Sequence, residues 1–236
     1  MSNASRREFL KHAGLGLGAG VSLNSLVLAQ DARPTPSDAN PAAAEQVLIG
    51  LGPPPDAVHM TDDVAPTGSN PLGPFYRKGA PFRGKVCPPF EPGDVLVVSG
   101  RVWGFDTKRP LPGAVLDVWH VDIHGNYSAG TGDFKNRSRL ITAESGYYEF
   151  ETIHPVAYQP SPGFWRSPHI HFRIARTGYK TLVTELFFDG DPKHDVDSIF
   201  NPALVRPVVK KTVNEHEVET AEFDIILEPD ARGSDA

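Results

Sequence analysis

Apolar and polar positions along this chain alternate in short runs separated by turn residues, the pattern of strands rather than helices. Val95 to Trp103 is an apolar run with Gly100 inside it. Lys108-Arg109-Pro110-Leu111-Pro112-Gly113 then supplies a turn, and Ala114 to His120 follows as the next strand candidate. Tyr147 to Thr152 alternates after a Ser145-Gly146 turn, and His169 to Ile174 alternates strongly. Thr181 to Phe188 and Thr220 to Leu227 complete the set. Only Pro202 to Val213 reads as helical, and Pro207 limits it to a short piece. Short strands with turns between them predict an all-β fold, a β-sandwich or barrel, with few short helices.

The pattern at the start of the chain is different. Ser5-Arg6-Arg7-Glu8-Phe9-Leu10-Lys11 precedes an apolar run from Ala13 to Ala29. A basic stretch before a short apolar one reads as a signal peptide, here over residues 1–29. The paired arginines before Phe-Leu-Lys resemble a twin-arginine signal, and Val27-Leu28-Ala29 offers a cleavage point after Ala29. Gly14, Gly16, Gly18 and Gly20 make the run weakly apolar for a permanent span, so no membrane span is expected once the signal is removed. The expected location is therefore outside the cytoplasm, in the periplasm. Twin-arginine export carries folded proteins, which suits one that takes up a metal before it leaves. Residues 30–65 are rich in Pro, Ala and Asp and read as a linker or irregular arm. Residues 66–230 are expected to form the β-sandwich domain, and 231–236 a tail.

Composition narrows the function. The formal charge of −6, with no long basic run, argues against nucleic-acid binding. One cysteine, Cys87, excludes an internal disulfide, so a core or a metal must stabilise the fold; Cys87 reads as a buried, inert thiol.

The candidate chemistry begins at His169-Ile170-His171-Phe172-Arg173-Ile174. On a strand, His169 and His171 project from one face while Ile170, Phe172 and Ile174 pack on the other. Two imidazoles so placed suit one metal ion, although His-x-His alone is a weak signal. Upstream lie Trp119-His120-Val121-Asp122-Ile123-His124-Gly125-Asn126-Tyr127, then Thr152-Ile153-His154-Pro155-Val156-Ala157-Tyr158, then Arg166-Ser167-Pro168-His169. Leu72-Gly73-Pro74-Phe75-Tyr76 precedes them all. Taken together and in this order, these stretches resemble the intradiol catechol dioxygenase family over about residues 70 to 228.

The resemblance implies a non-haem iron(III) centre, one per chain, held by Tyr127, Tyr158, His169 and His171, with Tyr158 and His171 axial. It implies Tyr158 as the base that takes a substrate proton and Arg166 as the cation that stabilises negative charge on the ring. The implied substrates are a catechol-type aromatic and O₂. The implied product is a cis,cis-muconate-type diacid, cleaved between the two hydroxylated carbons. Two phenolate donors favour iron(III), so the organic substrate rather than O₂ is activated.

Singly, Tyr127 reads as a turn aromatic, Tyr158 as a loop aromatic and Arg166 as a surface cation. Trp119 reads as core, His124 and His154 as structural or solvent-facing, and His120 as structural; Tyr76 and Arg77 are candidates for the substrate entrance. Family members often carry Gln where this chain has Glu185, which places a carboxylate near the iron if it faces inward. The stretch before Val95 is too short and proline-rich for the helical N-terminal domain of catechol 1,2-dioxygenases. A protocatechuate dioxygenase subunit or a stand-alone exported relative is the closer architecture, as a homo- or hetero-oligomer. Two competing readings remain. A cupin-like metal site would want a Glu a few residues after the His pair, where Ala175 and Arg176 stand. A non-catalytic prealbumin-like β-sandwich binding module would explain the strands but not the Tyr–His–Arg coincidence.

Overall fold

The computed structural model describes residues 60–61, 63–130, 132–213 and 216–231. The expected signal (1–29) lies outside the described residues, as do nearly all of the expected linker (30–65) and tail (231–236).

Two five-stranded sheets make the domain. In the first, β1 (Val95–Gly104) pairs antiparallel with β4 (Tyr147–Ile153) on one side. On its other side β1 runs parallel first to β11 (His216–Glu222) and then to β12 (Ile225–Leu227), and β10 (Val209–Val213) extends the sheet beyond β11. The partner strand is changed at Phe223-Asp224. There a Cβ on Gly100 would lie 2.2 Å from the Phe223 carbonyl oxygen, so only glycine fits. The second sheet is ordered β3 (Arg137–Ile141), β2 (Val115–Trp119), β7 (His169–Ala175), β8 (Leu182–Phe188), β9 (Val205–Arg206). A hairpin of β5 (Tyr158–Ser161) and β6 (Phe164–Arg166) stands apart from both.

The core is built by alternation. Leu96 and Val98 of β1, Tyr148 and Phe150 of β4, Leu116 and Val118 of β2, and Ile170, Phe172 and Ile174 of β7 are all buried in one cluster. Phe223, Ile225 and Leu227 close it. The opposite face of the second sheet is not solvated either. Trp119, His169, His171 and Glu185 are all buried there, which is why β7 is covered on both sides. That second buried face is the site.

Three sequence expectations need correction. Pro202 to Val213 is not helical: a 3₁₀ turn, Pro202–Leu204, gives way to β9 and β10. The apolar repeat there is carried by Val205, Val208, Val209 and Val213, whose β-branched side chains favour the extended chain. The run expected from Thr220 to Leu227 is two strands rather than one, broken at Phe223-Asp224 where the chain shifts along β1. Tyr158, expected in a loop, opens β5. The sandwich itself matches the all-β expectation.

Candidate active site

Direct pairing of strands assembles the site. Trp119 of β2 faces His171 of β7, and His171 faces Glu185 of β8. Cross-strand partners share a face, so the indole, the imidazole and the carboxylate form one row. His169 stands two residues along on the same face. The hairpin adds Tyr158 and Arg166, which pair with each other across β5 and β6. The turn after β2 adds Tyr127. It closes at Gly125, whose φ of +75° suits glycine, and a Cβ there would come within 2.7 Å of Tyr158 Cβ. Gly125 thus lets the two tyrosines approach.

Three donor atoms converge. Tyr127 Oη lies 2.9 Å from His171 Nε2 and 3.4 Å from His169 Nε2, and the two Nε2 atoms are 3.2 Å apart. A metal about 2.1 Å from each of two donors at right angles would space them about 3 Å apart, so this triangle fits one ion. The Tyr158 ring stands edge-on to Tyr127 with centroids 5.7 Å apart, and 5.9 Å from the His169 ring; the two phenols interact through their hydroxyls. The structure therefore brings Tyr127, Tyr158, His169 and His171 together.

Protonation suits the same use. Desolvation holds both histidines below their ordinary value, His171 the more strongly, so both are neutral imidazoles at pH 7. The His169 Nδ1–H donates to the Ser167 carbonyl at 2.6 Å, which turns the Nε2 lone pair inward. Desolvation likewise raises both phenols, and the Tyr158 hydroxyl pushes Tyr127 further up, well above 10. Without a cation, the phenols keep their protons.

Arg166 is not the surface cation its position in the sequence suggests when read alone. It is buried between two carboxylates, with Nη2 2.7 Å from Glu185 and Nε 3.1 Å from Asp197. Asp197 also accepts from the Ser167 backbone N–H and hydroxyl. The Ile199 backbone N–H donates as well, at 3.0 Å, and these four donors hold its carboxyl low despite its burial. Glu185 faces inward, with one oxygen taking Arg166 and Asn70, each at 2.7 Å. Its other oxygen lies 3.1 Å from His171 Nδ1 and 3.8 Å from His169 Nε2. His169, His171 and Glu185 thus form a buried three-donor cluster able to hold a metal. Glu185, expected near the metal only if it faced inward, does face inward, placed there by the register of β7 on β8.

Aromatic rings seal the site. Trp119 stacks on His171 at 4.7 Å and 5°, and Phe75 stacks on Tyr127 at 4.2 Å and 16°. Tyr76 packs against Trp119 and hydrogen-bonds Asp117. Arg77 bonds the Asp133 carbonyl. His120 is buried and bonded to the Val121 carbonyl and the Thr152 hydroxyl, His154 pairs with Glu219, and His124 is exposed. Asp197, Asn70 and Phe75 are parts of the site that the sequence reading did not assign. Each comes from a segment remote from the histidines, and no local spacing marks it.

Comparison with known proteins gives a consistent result. The sequence model of the Dioxygenase family matches residues 73–229, more than half of the 236-residue chain. A chlorocatechol 1,2-dioxygenase of Rhodococcus opacus is 38% identical over 188 residues, covering 69% of this chain and 72% of that protein. A 6-chlorohydroxyquinol 1,2-dioxygenase of Cupriavidus pinatubonensis is 34% identical, covering 67% of this chain and 63% of the relative. The chain spans half of a third, a catechol 1,2-dioxygenase of Acinetobacter lwoffii. Among solved structures, the dioxygenase domain of a dioxygenase–carbohydrate-binding fusion from Streptomyces sp. SirexAA-E superposes with a TM-score of 0.59. It is 31% identical and covers 70% of this chain and 100% of that one. Catechol 1,2-dioxygenase from Acinetobacter sp. ADP1 gives a TM-score of 0.65 at 26% identity, covering 82% of this chain and 69% of the other.

Proposed function

The chain belongs to the intradiol dioxygenase family, and from that premise we propose that it binds iron(III) and cleaves a catechol-type ring between its two hydroxylated carbons with O₂, giving a muconate-type diacid. The observation that carries this reading is the convergence of Tyr127 Oη, His169 Nε2 and His171 Nε2 within 3.4 Å, with Tyr158 beside them. Tyr127, Tyr158, His169 and His171 would hold the metal. Bound iron(III) supplies a Lewis acid for the catecholate and an electron acceptor that opens the ring to O₂. The Tyr158 oxygen accepts a proton from a substrate hydroxyl. Arg166, fixed by Asp197 and Glu185, stabilises negative charge developing on the ring. Phe75 and Trp119 exclude water from the imidazole and phenol donors.

The substrate class we infer is a catechol with uncharged ring substituents. Arg166 is already opposed by two carboxylates, so its charge is largely committed before a ring carboxylate could meet it. The names of the relatives, chlorocatechol, 6-chlorohydroxyquinol and catechol dioxygenases, support the same class. The deciding experiment is oxygen uptake with product identification over catechol, chlorinated catechols, hydroxyquinol and protocatechuate. Ring-opened diacid from the uncharged catechols, with protocatechuate poorest, is expected; cleavage beside rather than between the hydroxyls would overturn the assignment. We further propose export by the twin-arginine route, supported by Arg6-Arg7 and the apolar run after them. Replacing both arginines with lysine should leave the protein in the cytoplasm, and unchanged export would refute the route.

A further inference from the structure

Glu185 does more at this site than hold Arg166. Its side chain is fully buried, and one oxygen is saturated by Arg166 and Asn70. The second oxygen has no hydrogen-bond partner among the described residues, and neither has Nδ1 of His171. The two atoms lie 3.1 Å apart, on strands paired at that position. The imidazole is held in place by Trp119 stacked on its face, and its Nε2 points at Tyr127 and His169. The two histidines are thus supported differently. His169 gives its Nδ1 proton to a neutral carbonyl, that of Ser167, whereas His171 faces a carboxylate.

We propose that Glu185 is a positioning residue for His171: its free oxygen accepts a hydrogen bond from Nδ1–H, commits Nε2 to the metal, and through its charge makes this imidazole the stronger donor of the pair. A carboxylate on the far nitrogen of a ligating histidine fixes the tautomer and raises ligand basicity. The inference rests on the reading of His171 as a metal ligand. It adds that the metal's electron density, and not only the Arg166 charge, is set from β8.

The experiment compares wild type with Glu185→Gln, which keeps the shape and an acceptor oxygen but removes the charge. Metal-free protein is titrated with Zn²⁺ and with iron(III) against a chelator. The variant is expected to bind both about 10- to 100-fold more weakly. In the iron(III) form, the visible phenolate-to-iron absorption is expected to move to longer wavelength, because a weaker donor leaves the iron a stronger acceptor. A purely structural role would lower the melting temperature of the metal-free protein and leave both the Zn²⁺ affinity and the band unmoved; that result overturns the proposal. Wild type that binds Zn²⁺ but shows no visible band with iron would refute the iron–phenolate reading, while the Zn²⁺ affinities still decide the role of Glu185. Should Glu185→Gln not fold, Asn70→Ala loosens the carboxylate from its far oxygen. A smaller loss of Zn²⁺ affinity supports the proposal, and unchanged affinity overturns it.

Discussion

Loading the metal should release two protons, and the number discriminates between ways of using the site. In the metal-free protein, burial keeps Tyr127 and Tyr158 as neutral phenols, with pKa values above 10. The same burial keeps His169 and His171 as neutral imidazoles, below 6.5. At pH 7 to 9 an ion held by all four side chains must therefore displace two phenolic protons and no imidazole proton. The apparent affinity then rises about a hundredfold per pH unit, or about 2.7 kcal/mol, since each proton contributes about 1.4 kcal/mol per unit. Calorimetric titration in two buffers of different ionisation enthalpy counts the protons, after correction for those taken up by the chelator that delivers the iron. Tyr158→Phe should release one proton fewer. The cluster of His169, His171 and Glu185 acting without the tyrosines would displace no phenolic proton. A count near zero would therefore refute the four-ligand centre even if metal binds tightly.

The remaining expectations follow from the same geometry. Tyr158→Phe should leave the fold intact and slow turnover by about a hundredfold or more, the usual worth of a positioned proton acceptor; normal steady-state rates would remove Tyr158 from that role. His169→Ala should lose the metal, and full metal content by elemental analysis would contradict its assignment. Gly125→Ala places a Cβ 2.7 Å from Tyr158 Cβ at a φ of +75°; separated tyrosines and weakened metal binding are expected, and wild-type affinity would refute the packing argument. His120 is pulled down to about 4, chiefly by burial, from 6.5. A depressed base stabilises the fold above the unfolded value and loses that contribution as pH falls, here from 6.5 to 4. His120 alone should account for about 3 kcal/mol of the stability the metal-free protein loses over that window, beside what the depressed His169 and His171 lose; denaturant melts read it as the difference in slope between wild type and His120→Gln.

Two kinds of information separate what was legible in the sequence from what was not. Period-two alternation is local, so β1, β2, β4, β7 and β8 stand out along the chain, and with them the shared face of His169 and His171. Tyr127, Tyr158 and Arg166 carried no such local signal and were reached through resemblance of their surrounding motifs. Nothing local marks Glu185, Asn70 and Asp197 as one cluster. Glu185 reaches His171 through the register of β7 on β8, 14 residues on in sequence numbering; Asn70, ahead of β1, meets Glu185, and Asp197, after β8, joins through Arg166. The misread helix at 202–213 has a related cause. Val205, then Val208, Val209, Thr212 and Val213 after Pro207, fit either period over so short a span, and pairing with β8 and β11 settles the segment as strand. Charge, unlike hydrophobicity, has to be balanced wherever it is buried. For this chain that balance is struck by one guanidinium and two carboxylates drawn from three separate segments, so the polar logic of the site exists only once the sheets have paired.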